Sequence, residues 1–211
     1  MTSAKENAAS LGDIPSLAAF EPDLTGQDRA DIQDMLLDAQ LFASHVYDFQ
    51  RHWTSWMHYY RNRLSARGLR QKSLILDDSL LISSTEDLMD ATFRIIGTAG
   101  HERLAELVRR AFQALGVYQA ANAYFDHGLD NGRLGSFQIV PCARLDDGQN
   151  LLLLCGLHLT VDDYSAGGRR LLFYFKGGAY VFGSAAYARH RADVARYLKN
   201  RADALISGVS I

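Results

Sequence analysis

The sequence predicts an α+β fold: a long antiparallel helical hairpin packed with a four-stranded antiparallel meander and a C-terminal helix. The first observation behind this is a change of hydrophobic period. Apolar residues recur at helical spacing from Thr25 to about Phe125, at strand spacing from Phe137 to Phe182, and at helical spacing again from Ser184. The second is bulk composition: 211 residues, 48% hydrophobic and 22% charged, fit a soluble globular chain long enough to bury one substantial core. The third is the lack of an internal repeat or low-complexity linker, which makes residues 25–128 (helical) and 136–211 (sheet plus last helix) one expected domain.

Residues 1–24 carry Pro15, Pro22 and scattered acids without lasting periodicity, and are expected as a mobile lead-in. From Thr25, with Asp28 three residues on as in a capping box, apolar residues fall at two heptad positions: Ile32, Ala39, Val46, Trp53 and Tyr60, and Met35, Phe42, Phe49 and Trp56. No Pro or Gly interrupts them, so the pattern predicts one helix of roughly 40 residues, about 60 Å long, closed by Arg61, Arg63 and Arg67 before Gly68. Leu74 to Leu76 and Leu80 to Ile82 flank Asp77, Asp78 and Ser79 as a small hairpin or an irregular connection. A second helical stretch starts near Thr85, breaks around Gly97 and Gly100, resumes at His101 and stops before Asp126-His127-Gly128.

The expected meander comprises Phe137–Leu145, Asn150–Val161, Arg170–Lys176 and Ala179–Phe182. Its turns are Asp146-Asp147-Gly148-Gln149, Tyr164 to Gly168, and Gly177-Gly178. A last helix runs from Ser184 to about Ile206, and Gly208 to Ile211 can add an edge strand.

The net charge of −2 gives no global attraction to a polyanion, but charge is blocked. Residues 1–48 sum to −7 and 77–90 to −5, whereas 49–76 and 169–211 each sum to +6. A one-sign face requires the two basic blocks to meet in the fold. The longest apolar run, Leu151–Leu157, is far short of the roughly 18 residues a spanning helix needs, and no signal-peptide pattern opens the chain. The expected location is therefore cytoplasmic, with secretion lacking a cleaved signal left open. Arg supplies 18 of the 22 basic residues, a usage GC-rich bacterial coding produces.

No catalytic constellation emerges. His45 and His52 lie seven apart and lack the three- or four-residue spacing of helical metal ligands, and His101 beside Glu102 reads as solvated, so no metal or cofactor is expected. Cys155 and His158 point to opposite faces of one strand, and Cys155 shares the apolar face. His158 with Asp162, Asp163 and Ser165 sketches a nucleophile cluster, but no Gly-x-Ser-x-Gly elbow accompanies it, and turn chemistry accounts for the acids and serine. Phosphate-loop patterns are missing, and Gly128, Gly132 and Gly135 around Asp130 and Asn131 read as a linker.

Two features point to binding. Trp53, Trp56, Met57, Tyr59 and Tyr60 widen an aromatic stripe beyond what one core face needs, as a protein-contact surface does. Arg61, Arg63, Arg67, Arg70 and Lys72 form a basic stretch suited to anions. The last helix adds Arg189, Arg191, Arg196, Lys199 and Arg201 as a second basic face. The leading expectation is a non-enzymatic protein-binding or assembly protein, whose partner is another protein or a second copy of itself. A component of a bacterial toxin or secretion system is its specific form. The alternatives are a small hydrolase or transferase using the His158 cluster, and anionic-ligand or nucleic-acid binding through the Arg-rich helix end. Flanking acidic blocks disfavour nucleic acid.

Overall fold

A computed structural model describes residues 7–75, 79–98, 104–127, 135–161 and 169–211. The Asp77-Asp78 connection, the break at Gly100, His101 with Glu102, the glycines of the 128–134 linker and the Asp162–Gly168 turn lie outside the described residues.

The expected four-stranded antiparallel meander is replaced by an eight-stranded mixed sheet with helices on both faces. In chain order the strands are β1 (Ala8–Leu11), β2 (Ser16–Phe20), β3 (Arg70–Ile75), β4 (Leu80–Ile82), β5 (Ser136–Arg144), β6 (Asn150–Val161), β7 (Leu171–Phe182) and β8 (Ile206–Val209). The helices are α1 (Gly26–Val46), α2 (Trp53–Ala66), α3 (Thr85–Thr98), α4 (Ala105–Ala114), α5 (Val117–His127), α6 (Ser184–Leu198) and α7 (Arg201–Leu205). Strand order is β3-β7-β6-β5-β2-β1-β8, with β4 also on β7, and β2 pairs β5 in parallel.

Two of the added strands come from the segment expected as a lead-in. Ala8–Leu11 and Ser16–Phe20 are almost completely buried, so they show no polar/apolar alternation, and their alanines carry little strand preference. They pair with each other as a short antiparallel hairpin turned at residues 12–15, but their other partners, β8 and β5, lie at the far end of the chain and beyond residue 135, where no local signal announces them. The tail does form an edge strand, β8, and Asn7 holds it by donating to Ile211 O and accepting from Ile211 N.

The expected third and fourth strands are one. Gly177 and Gly178 lie inside β7, opposite Cys155 and Leu154. Close approach explains them: a Cβ on Gly177 would overlap the carbonyl oxygen of Leu154.

The long helical hairpin is also corrected. The first helix breaks at 47–52, where Asp48 Oδ1 accepts from the backbone N–H groups of Gln50 (3.0 Å) and Arg51 (2.7 Å). A short acidic side chain thus takes donors that a continuous helix would need. The heptad stripe then serves two helices lying side by side. Trp56 Nε1 donates to Ser44 Oγ across them at 2.9 Å. The second stretch divides into α3, α4 and α5, which pack on the opposite face of the sheet. The two stretches therefore never meet as a hairpin. One core joins α1, α2 and α6 to Val140, Leu152, Leu154 and Tyr180; the other joins α3, α4 and α5 to Ile139, Leu153, Leu157 and Phe173. This double burial explains the apolar run from Leu151 to Leu157.

Side chains on α1 tie its neighbours to it. Asp38 has no exposure and accepts from Arg63 Nε (2.8 Å) and Nη2 (2.9 Å) and from Arg67 Nε (2.9 Å). Asp31 accepts from Arg191 of α6 at 2.8 and 2.6 Å. Asp34, half-buried between them, has no such cation among the described residues. Burial, then the charges of Asp31 and Asp203, push its carboxyl above the usual range.

Replacing Asp38 strands two guanidinium groups, so Asp38→Ala should lower stability by about 3–5 kcal/mol in urea unfolding. Asp34 should behave oppositely. Because its folded pKa is raised, its ionised form opposes folding at neutral pH. Asp34→Asn should therefore raise the urea midpoint at pH 7, and the gain should shrink as pH falls through the carboxylate range, where both states become protonated.

Candidate anion-binding groove

The ends of α2 and α6 meet at one surface. After Ala66 the chain turns through Gly68, whose φ of +89° favours glycine, and Leu69 N closes the turn on Leu64 O at 3.1 Å. Helix α6 ends at Leu198, and Lys199 leads on into α7. Arg63 and Arg67 come from α2, Arg196, Tyr197 and Lys199 from the end of α6, and Arg201 from α7. Together with Asp193 they surround an open depression of about 590 Å³. The two basic blocks of the sequence thus converge here.

Their charges are not equally available. Arg63 and Arg67 hold Asp38, and Arg63 also lies over the rings of Phe42 (4.7 Å) and Tyr197 (5.3 Å). Arg201 also lies over the Tyr197 ring, at 5.2 Å, and donates to the carbonyls of Leu198 (3.2 Å) and Tyr197, satisfying the end of α6. Arg196 pairs with Asp193 at 3.0 Å while remaining 78% exposed, a geometry worth little in water, and Lys199 is exposed. Five cations therefore face two carboxylates, Asp38 and Asp193, and the mobile charge sits on Arg196 and Lys199.

The rest of the expected basic stretch is dispersed. Arg61 Nε donates to Tyr180 OH at 3.0 Å, Arg70 Nη2 donates to Gln149 Oε1 at 3.1 Å, and Lys72 is exposed on the edge strand β3. Of the aromatic stripe, Trp53, Trp56, Met57 and Tyr60 are buried against the sheet, with Trp56 stacked on Tyr60 at 4.8 Å. Tyr59 is half-buried beside Phe42 and Tyr47. With Met57, Arg61 and Lys176 it borders a smaller depression of about 400 Å³.

His45, His52 and His58 are exposed, and no group of three or more possible metal ligands occurs among the described residues. Cys142 and Cys155 are fully buried, which pushes both thiols far up and keeps them inert. His158 is placed differently from the expected cluster. Its Nδ1 shares a 2.8 Å hydrogen bond with Ser136 Oγ, and its ring stacks on Trp53 at 5.3 Å. Ser136 was not among the expected residues, and with zero exposure its hydroxyl offers no approach to a substrate carbonyl. Hairpin arithmetic could have found it: the turn closed by Leu145 N on Gln149 O places Ser136 opposite His158.

Burial lowers the His158 pKa below its ordinary 6.5, so the imidazole is neutral at pH 7. An NMR titration should give a His158 midpoint below the ordinary imidazole value of 6.5. Because the folded pKa is depressed, this residue's contribution to stability is present above about pH 6.5 and is lost as pH falls through the lower folded value. The sequence matches no protein-family model, and neither a curated protein nor a solved structure shows significant similarity to it.

Proposed function

We propose that the protein is a non-catalytic binding protein that docks an acidic segment of a protein partner in the groove between the ends of α2 and α6. The observation that carries this reading is the convergence of the two basic blocks on one depression lined by Arg63, Arg67, Arg196, Lys199 and Arg201. Guanidinium forks recognise carboxylates by paired donors, and Arg63 and Arg67 already do so internally with Asp38. Arg196 and Lys199 extend the same chemistry outward.

An acidic peptide fits better than a nucleic acid. A phosphate backbone needs a long cationic track. Here Asp193 borders the groove, and Asp203 follows on α7. The Tyr197 ring already holds the guanidinium groups of Arg63 (5.3 Å) and Arg201 (5.2 Å), with which a stacking base would have to compete.

Fluorescence anisotropy with a labelled oligoglutamate peptide and a labelled single-stranded oligonucleotide tests this. The peptide should bind at low salt, weaken as salt rises, and lose at least about tenfold affinity, near 1.4 kcal/mol, in an Arg196→Glu/Lys199→Glu variant. Absence of peptide binding, an unaffected double variant, or tighter binding of the oligonucleotide would contradict the proposal.

A further inference from the structure

A second cavity lies away from the basic groove, where β6 outruns its neighbour. Strand β5 starts at Ser136, opposite His158, and the last bond beyond that pair is Leu159 N to Gly135 O at 3.1 Å. Residues Leu159, Thr160 and Val161 project past it, leaving about 640 Å³ between this strand end, Pro15 and the Gln50–Arg51 approach to α2. That volume lies in the range of small-molecule sites.

The lining is built rather than accidental. Gln50 acts as a one-residue strand partner: its Oε1 accepts from Ser136 N at 2.7 Å and its Nε2 donates to Ser136 O at 3.2 Å. Gly135 makes room for this, since a Cβ there would stand 2.6 Å from Gln50 Oε1. Ser136 in turn holds His158 Nδ1, while Trp53 stacks on the imidazole with an interplanar angle of 17° and Tyr174 lies 6.0 Å away. The imidazole is thereby fixed on one edge and one face. Its Nε2 makes no hydrogen bond among the described residues. When the Ser136 hydroxyl donates to Nδ1, the neutral ring carries its proton on Nε2 and offers a donor.

Pro15 and Val161 supply partly exposed apolar wall, Phe137 and Leu159 border it with buried side chains, and Arg51 stands exposed at the mouth. Its backbone is anchored by Asp48 at 2.7 Å, and among the described residues its guanidinium forms no ion pair and no carboxylate borders the cavity.

We propose that this cavity binds a small organic acid with an apolar body, its carboxylate on Arg51 and the His158 Nε2–H, its hydrocarbon part along Pro15 and Val161. One cation beside a mainly apolar wall matches a monocarboxylate better than a multiply charged phosphate. No residue is shared with the basic groove.

The test uses phenylacetate, its neutral analogue 2-phenylethanol, and inorganic phosphate, each added to the full chain while the His158 imidazole is followed by NMR and binding by calorimetry. Phenylacetate should shift the His158 signal and bind at least about fivefold more tightly than 2-phenylethanol, a difference near 1 kcal/mol. Arg51→Gln, an exposed change, should erase that preference while leaving the wild-type fold. Four results would overturn the proposal: no phenylacetate binding up to about 10 mM, binding without a His158 shift, an Arg51→Gln variant that keeps the preference, or phosphate binding as well as phenylacetate.

Discussion

Asp38 is a carboxylate without exposure in the middle of a helix, and two arginines from the next helix hold it. Removing it from water would cost several kcal/mol unpaired. The bidentate forks of Arg63 and Arg67 offset that cost only if α2 lies alongside α1 in one register. The same pairing turns the basic end of α2 toward α6, whose Arg191 is held by Asp31 one helical face along. The acidic face of α1 therefore aligns both basic helices, and the groove at their ends follows from that alignment.

A second constraint acts on the sheet. Strands β5, β6 and β7 have helices above and below, so both rows of side chains must be apolar or fully hydrogen-bonded. Gln138, fully buried, meets this only in part: its Oε1 accepts from Ser16 Oγ at 2.8 Å across the parallel β2–β5 pair, while its Nε2 makes no hydrogen bond among the described residues. Glycine meets it at 177, where β7 passes too close to β6 for any side chain.

These constraints decide what could be read from residues alone. The hairpin of β5 and β6 is announced by its Asp-Asp-Gly turn, and the C-terminal helix by its spacing, because both signals are local, although that helix ends at Leu198 rather than near Ile206. The break between α1 and α2 rests on the side chain of Asp48, which a heptad pattern passes over. The parallel β2–β5 pairing joins residues more than 100 apart, and alanine-rich strands buried on both faces leave no alternation to detect. The opposite placement of α3, α4 and α5 depends on which sheet face each apolar stripe meets, which periodicity does not encode.

The candidate groove was half legible. The charge blocks are visible in the sequence, but their meeting depends on the Asp38 and Asp31 pairings across 25 and 160 residues. The aromatic stripe was visible too, and its surplus width is used by the turn around Phe49 and by the sheet rather than left outward. The most direct measurement is an NMR perturbation map of the full chain with an oligoglutamate peptide. Shifts should concentrate at Arg63, Arg67, Arg196, Tyr197, Lys199 and Arg201, with the β3 edge around Arg70 and Lys72 unmoved. A map centred on that edge, or on Tyr59 and Arg61, would contradict docking in the groove.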